Sequence, residues 1–317
     1  MTEIKLRPRT FLVARVTAGM SKFFEGMMFR LSTKTALMLC VWIQWCGSVL
    51  ASTNAPSPPA STALVKSKVP AGFTVVLQPP FVVIGDEPPE VVQLRATKTV
   101  KWAVDKLKQD YFQIDPEPID IWLFRDKDSY EQHARSLFNE TPTTRFGYYS
   151  AEHRALVMNI STGTGTLVHE IVHPFMRANF PSCPTWFNEG LASLYEASTE
   201  KDGHIRGLIN WRFKGLEQAI KEHKTISFQR LTALSDAEFY GSAEGYSQYY
   251  AESRYLCYYL QEQGLLKTYY HEFVANAKTD PTGFETLKRL LRTNDMKAFQ
   301  EKWEKFILNL RTSPDHN

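Results

Sequence analysis

The hydrophobic periodicity of the chain changes at Gly165, and this change constrains the fold more than any other feature. Before Gly165, short runs rich in β-branched and aromatic residues are separated by turn residues, which is typical of strands. After it, apolar residues recur at helical spacing almost to the end of the chain. We therefore predict an α+β fold, in which a small mixed β-sheet with helices precedes a mainly helical C-terminal half.

The positions of the predicted elements follow from these patterns. Strands are expected at 73–77, 81–84, 119–124, 146–149 and 155–160, and early helices at 90–111 and 129–137. Later helices are expected near 166–177, 185–197, 206–223, 244–263, 265–277, 282–292 and 296–311. A polar stretch at 150–154 is expected to turn the last two strands into a hairpin.

Residues 1–51 have the composition of an export signal. Basic side chains precede an apolar segment at 35–51, which ends in small residues at the positions that a signal peptidase reads. We expect a cleaved signal peptide and a periplasmic or extracellular protein. Since the segment before the apolar run is long, Met27 or Met28 is a candidate for the true start. The alternative is an uncleaved membrane anchor formed by residues 35–51, although this segment is short for a membrane span.

The basic charge of the chain is confined to this segment. The whole chain carries a net +3, whereas residues 1–51 contain seven basic and two acidic side chains, which leaves −2 for 52–317. We therefore expect no nucleic-acid partner, because that class of ligand requires a basic surface. A Pro/Ser-rich linker at 52–66 is expected to lead into one domain at 67–317, with an α/β part at 67–165 and a helical part at 166–317.

Cleavage of the signal would leave two cysteines, Cys183 and Cys257, in a compartment that permits disulfides. The sequence leaves open whether they pair or remain two separate thiols, because it does not reveal their separation in space.

The pattern His169-Glu170-Ile171-Val172-His173 lies at the join between the two halves. On a helix, residues four apart project from the same face, so His169 and His173 can bind one metal ion. Glu170 lies one step around the helix, where a general base for a metal-activated water belongs. The alternative, that both histidines are satisfied core residues, does not account for the accompanying carboxylates.

A second predicted helix supplies the third metal ligand. It begins near Thr185 in the run Trp186-Phe187-Asn188-Glu189-Gly190, and fifteen residues separate His173 from Glu189. This spacing allows the second helix to return beside the first and present the carboxylate of Glu189. Three protein ligands leave a fourth position open, which is typical of catalytic zinc. The alternative is that Glu189 only stabilises a helix start.

These motifs, H-E-I-V-H followed by W-F-N-E-G-L-A, resemble those of the gluzincin metallopeptidases, in particular bacterial peptidase MA-like domain proteins. The resemblance implies a zincin-like fold with the active site in a cleft, one Zn²⁺ per chain and a peptide or protein substrate. It also implies an oxyanion donor at Tyr250, within Tyr250-Ala251-Glu252-Ser253, with Tyr246 and Tyr249 as competitors. An extended substrate would pair with Ala155–Ile160, which we expect to form the sheet edge.

The sequence departs from the family pattern at two points. Pro174 directly follows the second histidine, so the helix is expected to kink or end there. The Gly-x-Met-Glu-Asn run by which aminopeptidase-like members hold a free amino terminus is missing, which favours an endopeptidase. The alternative function is a catalytically silent, zinc-containing binding module of the same fold. Glu196 is interpreted as an exposed carboxylate rather than as a residue that orients a metal ligand.

Overall fold

The computed structural model describes residues 69–241 and 243–310, without the side chains of 243–247. The expected signal peptide at 1–51 and linker at 52–66 lie outside the described residues. A mixed sheet occupies the first half of the described chain and most helices lie in the second, so the predicted α+β class is confirmed. Within 69–241 and 243–310, no helix is both long enough and apolar enough to cross a bilayer.

The elements before Gly165 agree closely with the predicted ones. They are β1 (Thr74–Gln78), β2 (Phe81–Gly85), α1 (Pro89–Arg95), α2 (Trp102–Asp110), β3 (Ile119–Phe124), α3 (Lys127–Phe138), β4 (Gly147–Ser150) and β5 (Ala155–Asn159). A π-helical segment, Ala96–Lys101, joins α1 to α2, so the helix predicted at 90–111 is a single helical run.

The helical half begins with the two helices that carry His169, His173 and Glu189. Its elements are α4 (Gly165–Asn179), α5 (Thr185–Leu194), β6 (Ser198–Lys201), β7 (His204–Gly207), α6 (Arg212–Lys221), α7 (Phe228–Thr232), α8 (Asp236–Gly241), α9 (Ala243–Glu262), α10 (Leu266–Asn276), α11 (Phe284–Leu291) and α12 (Met296–Leu308).

The five-stranded sheet has the order β1-β2-β3-β5-β4. Strands β2, β3 and β5 are parallel, whereas β1 and β4 pair antiparallel at the two edges. Alternate side chains of the central strands enter two different cores, as the two-residue period of a strand requires. Val83 and Ile121 face the larger core shared with α4, and Ile84 and Trp122 face the smaller core against α3.

The edge strand that lies next to α4 is β4. The expectation that Ala155–Ile160 forms this edge is therefore wrong. β5 pairs with β3 on one side and with β4 on the other, and all five of its residues are buried. A hairpin can place either of its strands outermost, and here the second strand of the hairpin also pairs in parallel with β3. The free edge therefore belongs to Gly147–Ser150.

Helix α9 lies at the centre of the helical half and packs closely against α5. Gly190 permits this approach, because a Cβ atom added there would lie 2.9 Å from the carbonyl oxygen of Ser253. Gly190 follows Glu189 directly, so the backbone contact between α5 and α9 also fixes the position of that carboxylate. Cys257 of α9 is buried in the same region and, like Cys183, is a free thiol, so the two cysteines are not bridged.

Two predicted helices differ from the structure between Glu196 and Trp211. The helix predicted at 206–223 begins only at Arg212, and a two-stranded hairpin, β6 and β7, precedes it. Helix α5 ends at Leu194 rather than at 197. The short helices α7 and α8 had not been predicted.

The sequence predicted that the helix would kink or end at Pro174. Helix α4 continues through Pro174 to Asn179, so the second of these alternatives, an end at the proline, is wrong. Pro174 has no N–H group to donate to the carbonyl of Glu170, which is one local cost of this continuation. The C-terminal end of α4 is tied to the segment after α2. Asn179 accepts hydrogen bonds from the backbone amides of Gln113 and Ile114 and donates to the Ile114 carbonyl.

Candidate metal centre

The three predicted metal ligands come together between α4 and α5. His169 and His173 lie one turn apart on α4, and their ring centroids are 4.8 Å apart. Oε2 of Glu189, on α5, lies 3.3 Å from Nε2 of His169 and 3.8 Å from Nε2 of His173. One donor atom from each of the three residues lies within 4.8 Å of the others, which is compact enough for a single ion.

Oε2 of Glu189 is buried and accepts no hydrogen bond from any described residue. A buried carboxylate oxygen without a donor is costly unless a cation compensates it. Burial acts to raise the pKa of Glu189, but the charges of His173 and His169 and the hydrogen bond from Tyr240 lower it to about 2. The carboxylate is therefore ionised, as a metal ligand must be.

His169 is surrounded by negative charge. Burial acts to lower the pKa of this imidazole, but the carboxylates of Glu189 and Glu196 raise it to about 10. The pocket thus favours a positive charge at this point, which either a proton or a divalent metal ion can supply. The two compete for the same nitrogen, because a histidine ligand must be neutral.

Glu196 approaches the Nδ1 side of His169, opposite the Nε2 atom that faces Glu189. The interpretation of Glu196 as an exposed carboxylate is therefore wrong. Its side chain is only 13% exposed, and Oε1 lies 3.3 Å from Nδ1 of His169. Nε and Nη2 of Arg212 donate to its two oxygens over 2.9 and 2.7 Å, and Nδ2 of Asn210 donates over 2.9 Å. Burial acts to raise the pKa of Glu196, but His169 and Arg212 lower it to about 2.

The second histidine has its own outer partner. Nδ1 of His173 lies 3.0 Å from Oδ1 of Asn188, which directly precedes Glu189 in α5. Both imidazoles therefore turn Nε2 towards Glu189 and Nδ1 towards a fixed oxygen. This orientation is common among metal-binding histidines, since the outer contact fixes the ring and its tautomer.

A close backbone contact holds the beginning of α4 against the segment that carries Glu196. A Cβ atom added to Gly165 would lie 2.0 Å from the carbonyl oxygen of Glu196, a distance that no side chain can adopt without movement of the backbone. Gly165 is one helical turn before His169. The glycine therefore allows the ligand helix and the Glu196 segment to meet.

A cavity of about 300 Å³ opens beside His173 and Glu189. It is lined by Tyr149, Leu156, Glu170, His173, Pro174, Met176, Arg177, Phe180, Pro181, Cys183, Asn188, Glu189 and Tyr240. Glu170 is half-buried and makes no hydrogen bond or ion pair to any described residue. Its carboxylate is thus available within the cavity next to the position that a bound metal would occupy.

Two tyrosines contact the candidate metal ligands in different ways. The ring of Tyr250 is buried, with its centroid 6.5 Å from that of His169 and 5.2 Å from that of Phe239. The guanidinium of Arg212 covers its ring at 4.9 Å. Tyr240 lines the cavity, and its hydroxyl donates to Oε1 of Glu189 over 2.6 Å. Sequence reasoning missed Tyr240, which lies in a short helix that had not been predicted.

A second group of possible ligands lies at the turn between β4 and β5. Glu140, Glu152 and His153 bring their donor atoms within 4.8 Å of one another. Glu152 and His153 are exposed, and Glu140 already accepts a hydrogen bond from Ser150. Of the two groups within the described chain, the buried one has the charge and the orientation that a metal ion requires.

The donor atoms of the buried group, two imidazole nitrogens and one carboxylate oxygen, suit Zn²⁺. His169, His173 and Glu189 would hold the ion, with Glu196 and Asn188 behind the imidazoles and Glu170 in the adjoining cavity. No protein-family model matches this sequence, and no curated protein is similar enough to count as a relative.

Proposed function

We propose that the chain is a zinc-dependent hydrolase of the gluzincin type that cleaves peptide bonds as an endopeptidase. The observation that carries this proposal is the buried Oε2 of Glu189, which lacks a hydrogen-bond donor in the described chain and faces Nε2 of both histidines. The cavity beside it has residues of the sheet on one side and of the helical half on the other, which supports a zincin-like cleft.

The roles of the surrounding residues follow from where they lie. A zinc ion held by the three ligands would supply Lewis-acid chemistry and lower the pKa of a water molecule towards neutrality. The carboxylate of Glu170, free within the cavity, would accept the proton of that water and pass it to the leaving nitrogen. Glu196 and Asn188 would keep both imidazoles oriented throughout.

The oxyanion donor has two candidates. Tyr250 was expected from the resemblance, and its ring packs against that of His169. Tyr240 lines the cavity, but its hydroxyl is bound to Glu189. We retain Tyr250 as the proposed oxyanion donor and assign Tyr240 to positioning Glu189, because a hydroxyl committed to a ligand carboxylate is less available to the substrate.

Strand β4 is the part of the sheet that an extended peptide would contact. It is one of the two edge strands, and Tyr149 on β4 and Leu156 opposite it on β5 both line the cavity. A peptide can add to such an edge through backbone hydrogen bonds. The substrate-pairing role proposed from the sequence for Ala155–Ile160 therefore moves to Gly147–Ser150.

Metal content and the Glu170→Gln variant test the proposed function. The purified protein should contain close to one zinc ion per chain, and His169→Ala or Glu189→Ala should lose it, since two ligands rarely hold zinc tightly. Glu170→Gln should keep the metal and lose most peptide hydrolysis, because an amide cannot accept the proton. Glu301→Gln, an exposed site on α12, is the matched control.

Two outcomes would contradict the proposal in different ways. Full zinc occupancy in Glu189→Ala would remove Glu189 from the site. A zinc-containing wild-type protein that cuts no peptide in a broad library would favour the silent binding module.

We also propose that the protein is exported, with the signal removed near Ser52. Mass spectrometry of the mature protein should then find an amino terminus close to that residue. Peptides from 35–51 in a membrane-bound mature form would instead support the anchor.

A further inference from the structure

The cavity beside the candidate metal centre is lined by one cationic side chain, Arg177. It lies one turn beyond His173 on α4, on the exposed side of the helix, and is the one lysine or arginine among the residues that line this cavity. Its guanidinium lies 5.0 Å from the ring centroid of Tyr149, on the edge strand β4. Arg177 therefore lies between the ligand helix and the strand that would receive the substrate.

Within residues 69–241 and 243–310, Arg177 makes no salt bridge and no side-chain hydrogen bond. Several other arginines of the described chain pair with carboxylates, as in Arg95–Glu87, Arg212–Glu196 and Arg289–Glu272. The two carboxylates that share the cavity with Arg177, Glu170 and Glu189, form no ion pair with it. Its donor groups thus remain available to a ligand in the cavity.

The chemistry of an arginine on an aromatic ring specifies what it can bind. The planar guanidinium offers paired N–H groups that match a carboxylate, often through two parallel hydrogen bonds. Packing over Tyr149 restricts the plane of the guanidinium, which reduces the entropy lost on binding. A neutral group of the substrate would bind the guanidinium more weakly than a carboxylate.

The helix sets the distance from Arg177 to the reacting bond. Four residues of α-helix span about 6 Å, and an extended peptide rises about 3.3 Å per residue. A substrate group that reaches Arg177 would therefore lie within about two residues of the scissile bond.

We propose that Arg177 is a specificity-determining residue that binds a substrate carboxylate within about two residues of the scissile bond. This inference rests on the proposed peptidase function. The carboxylate has two possible sources: an aspartate or glutamate side chain, or the α-carboxylate of the substrate's last residue.

Matched peptides distinguish the two sources. One pair differs by Asp against Asn at each position within two residues of the cleaved bond, and another differs by a free against an amidated C-terminus. For the carboxylate that Arg177 binds, neutralisation should lower kcat/KM roughly 10- to 100-fold, as expected for a charge-assisted hydrogen bond. Loss with Asn assigns the side chain, and loss with the amide assigns the terminus.

Variants of Arg177 test the residue itself. Arg177→Gln should remove the preference for acidic over neutral peptides and leave kcat/KM of the neutral peptides nearly unchanged. Arg177→Lys should retain part of the preference for acidic peptides. Arg145→Gln is the matched control, because Arg145 is also exposed and covers the ring of Phe146 at 4.8 Å but does not line the cavity. Equal melting temperatures of the variants would exclude misfolding.

Binding to the Glu170→Gln protein gives a readout that does not depend on turnover. Fluorescence anisotropy measures the Kd of this variant for acidic and for neutral peptides. The two Kd values should differ in Glu170→Gln, which keeps Arg177, and should become equal in the double variant Glu170→Gln/Arg177→Gln. Equal Kd and equal kcat/KM for acidic and neutral peptides would overturn the role of Arg177 while leaving the peptidase proposal intact. If the wild type cuts nothing, the peptidase proposal fails and the Kd series alone decides whether Arg177 binds carboxylates.

Discussion

The hydroxyl of Tyr240 donates a hydrogen bond to Oε1 of Glu189 over 2.6 Å, while Oε2 of the same carboxylate faces the two histidines. One oxygen is thereby fixed by the protein and the other is left for a metal ion. The contact joins α8 to α5, the helix that carries Glu189.

Tyr240→Phe should weaken zinc binding about 10-fold or more, because loss of an outer hydrogen bond to a ligand typically costs 10- to 100-fold. The phenyl ring remains, so the melting temperature of the metal-free protein should change little. Competition with a chelator of known affinity measures the zinc Kd. Tyr249→Phe is the control, since Tyr249 is half-buried against Phe239. An unchanged Kd in Tyr240→Phe would make the contact incidental.

Tyr250→Phe should lower kcat about 100-fold with little change in KM or zinc content, if its hydroxyl stabilises the oxyanion. The ring contacts with His169 and Phe239 remain in this variant, so packing should survive. Steady-state kinetics on a single peptide provide the measurement. Near-normal kcat in Tyr250→Phe, combined with a large loss of kcat in Tyr240→Phe, would transfer the role to Tyr240.

Glu196→Gln should raise the zinc Kd by about 10- to 100-fold, because the residue behind His169 loses its charge. The amide oxygen can still accept hydrogen bonds from Arg212, which limits structural damage. Glu200→Gln is the matched control, since Glu200 lies four residues further on, on exposed β6. Chelator competition at one fixed pH compares the three proteins. A Kd for Glu196→Gln equal to that of the control would contradict the positioning role.

The free energy of unfolding should fall as the pH rises from about 4.5 to 8, in part because of Glu252. Burial, with a smaller contribution from Glu304, raises the pKa of Glu252 from 4.5 to about 8. Between these two pH values the folded protein keeps a proton on Glu252 that the unfolded chain releases. The contribution of this carboxyl to the free energy of unfolding is therefore fully present below pH 4.5 and is lost as the pH approaches 8. The slope from one such group is at most about 1.4 kcal/mol per pH unit.

Glu252→Gln should remove this part of the slope. The amide oxygen of the variant can still accept hydrogen bonds from the side chain of Gln248 and from the backbone N–H of Ile226. In the native protein these two groups donate to the carboxyl of Glu252 over 2.7 and 3.3 Å. Urea unfolding between pH 5 and 9 compares the variant with Glu301→Gln as control. The same pH slope in all three proteins would show that Glu252 titrates normally.

Sequence patterns predicted that His169, His173 and Glu189 come together, because the relevant contacts lie within one helix or follow from the return of the next helix beside it. The spacing of His169 and His173 is a property of a single helix, and the fifteen residues before Glu189 suffice to bring α5 back beside α4. Most strands and helices were predicted for the same reason, since each depends on its own periodicity.

The outer contacts of the centre could not be predicted in this way. Glu196 lies just beyond the end of α5, and its partner Arg212 follows the hairpin of β6 and β7. That hairpin has few apolar residues, and β6 reads Ser-Thr-Glu-Lys, so no alternation marked it as a strand. Tyr240 is 51 positions from Glu189, and only tertiary packing brings them together.

The short edge strand β4 also determines the conformation of polypeptide that the proposed cleft could accept. It has four residues, Gly147–Ser150, and its inner side is already paired with β5. In an antiparallel ladder only alternate residues direct their N–H and C=O groups outward, so a substrate would find few backbone partners there. Such a strand can bind a segment that is already extended. The few hydrogen bonds formed there would stabilise the complex too little to unwind a helix in the substrate. The proposed peptidase would therefore act on polypeptides that have lost, or never acquired, their own secondary structure.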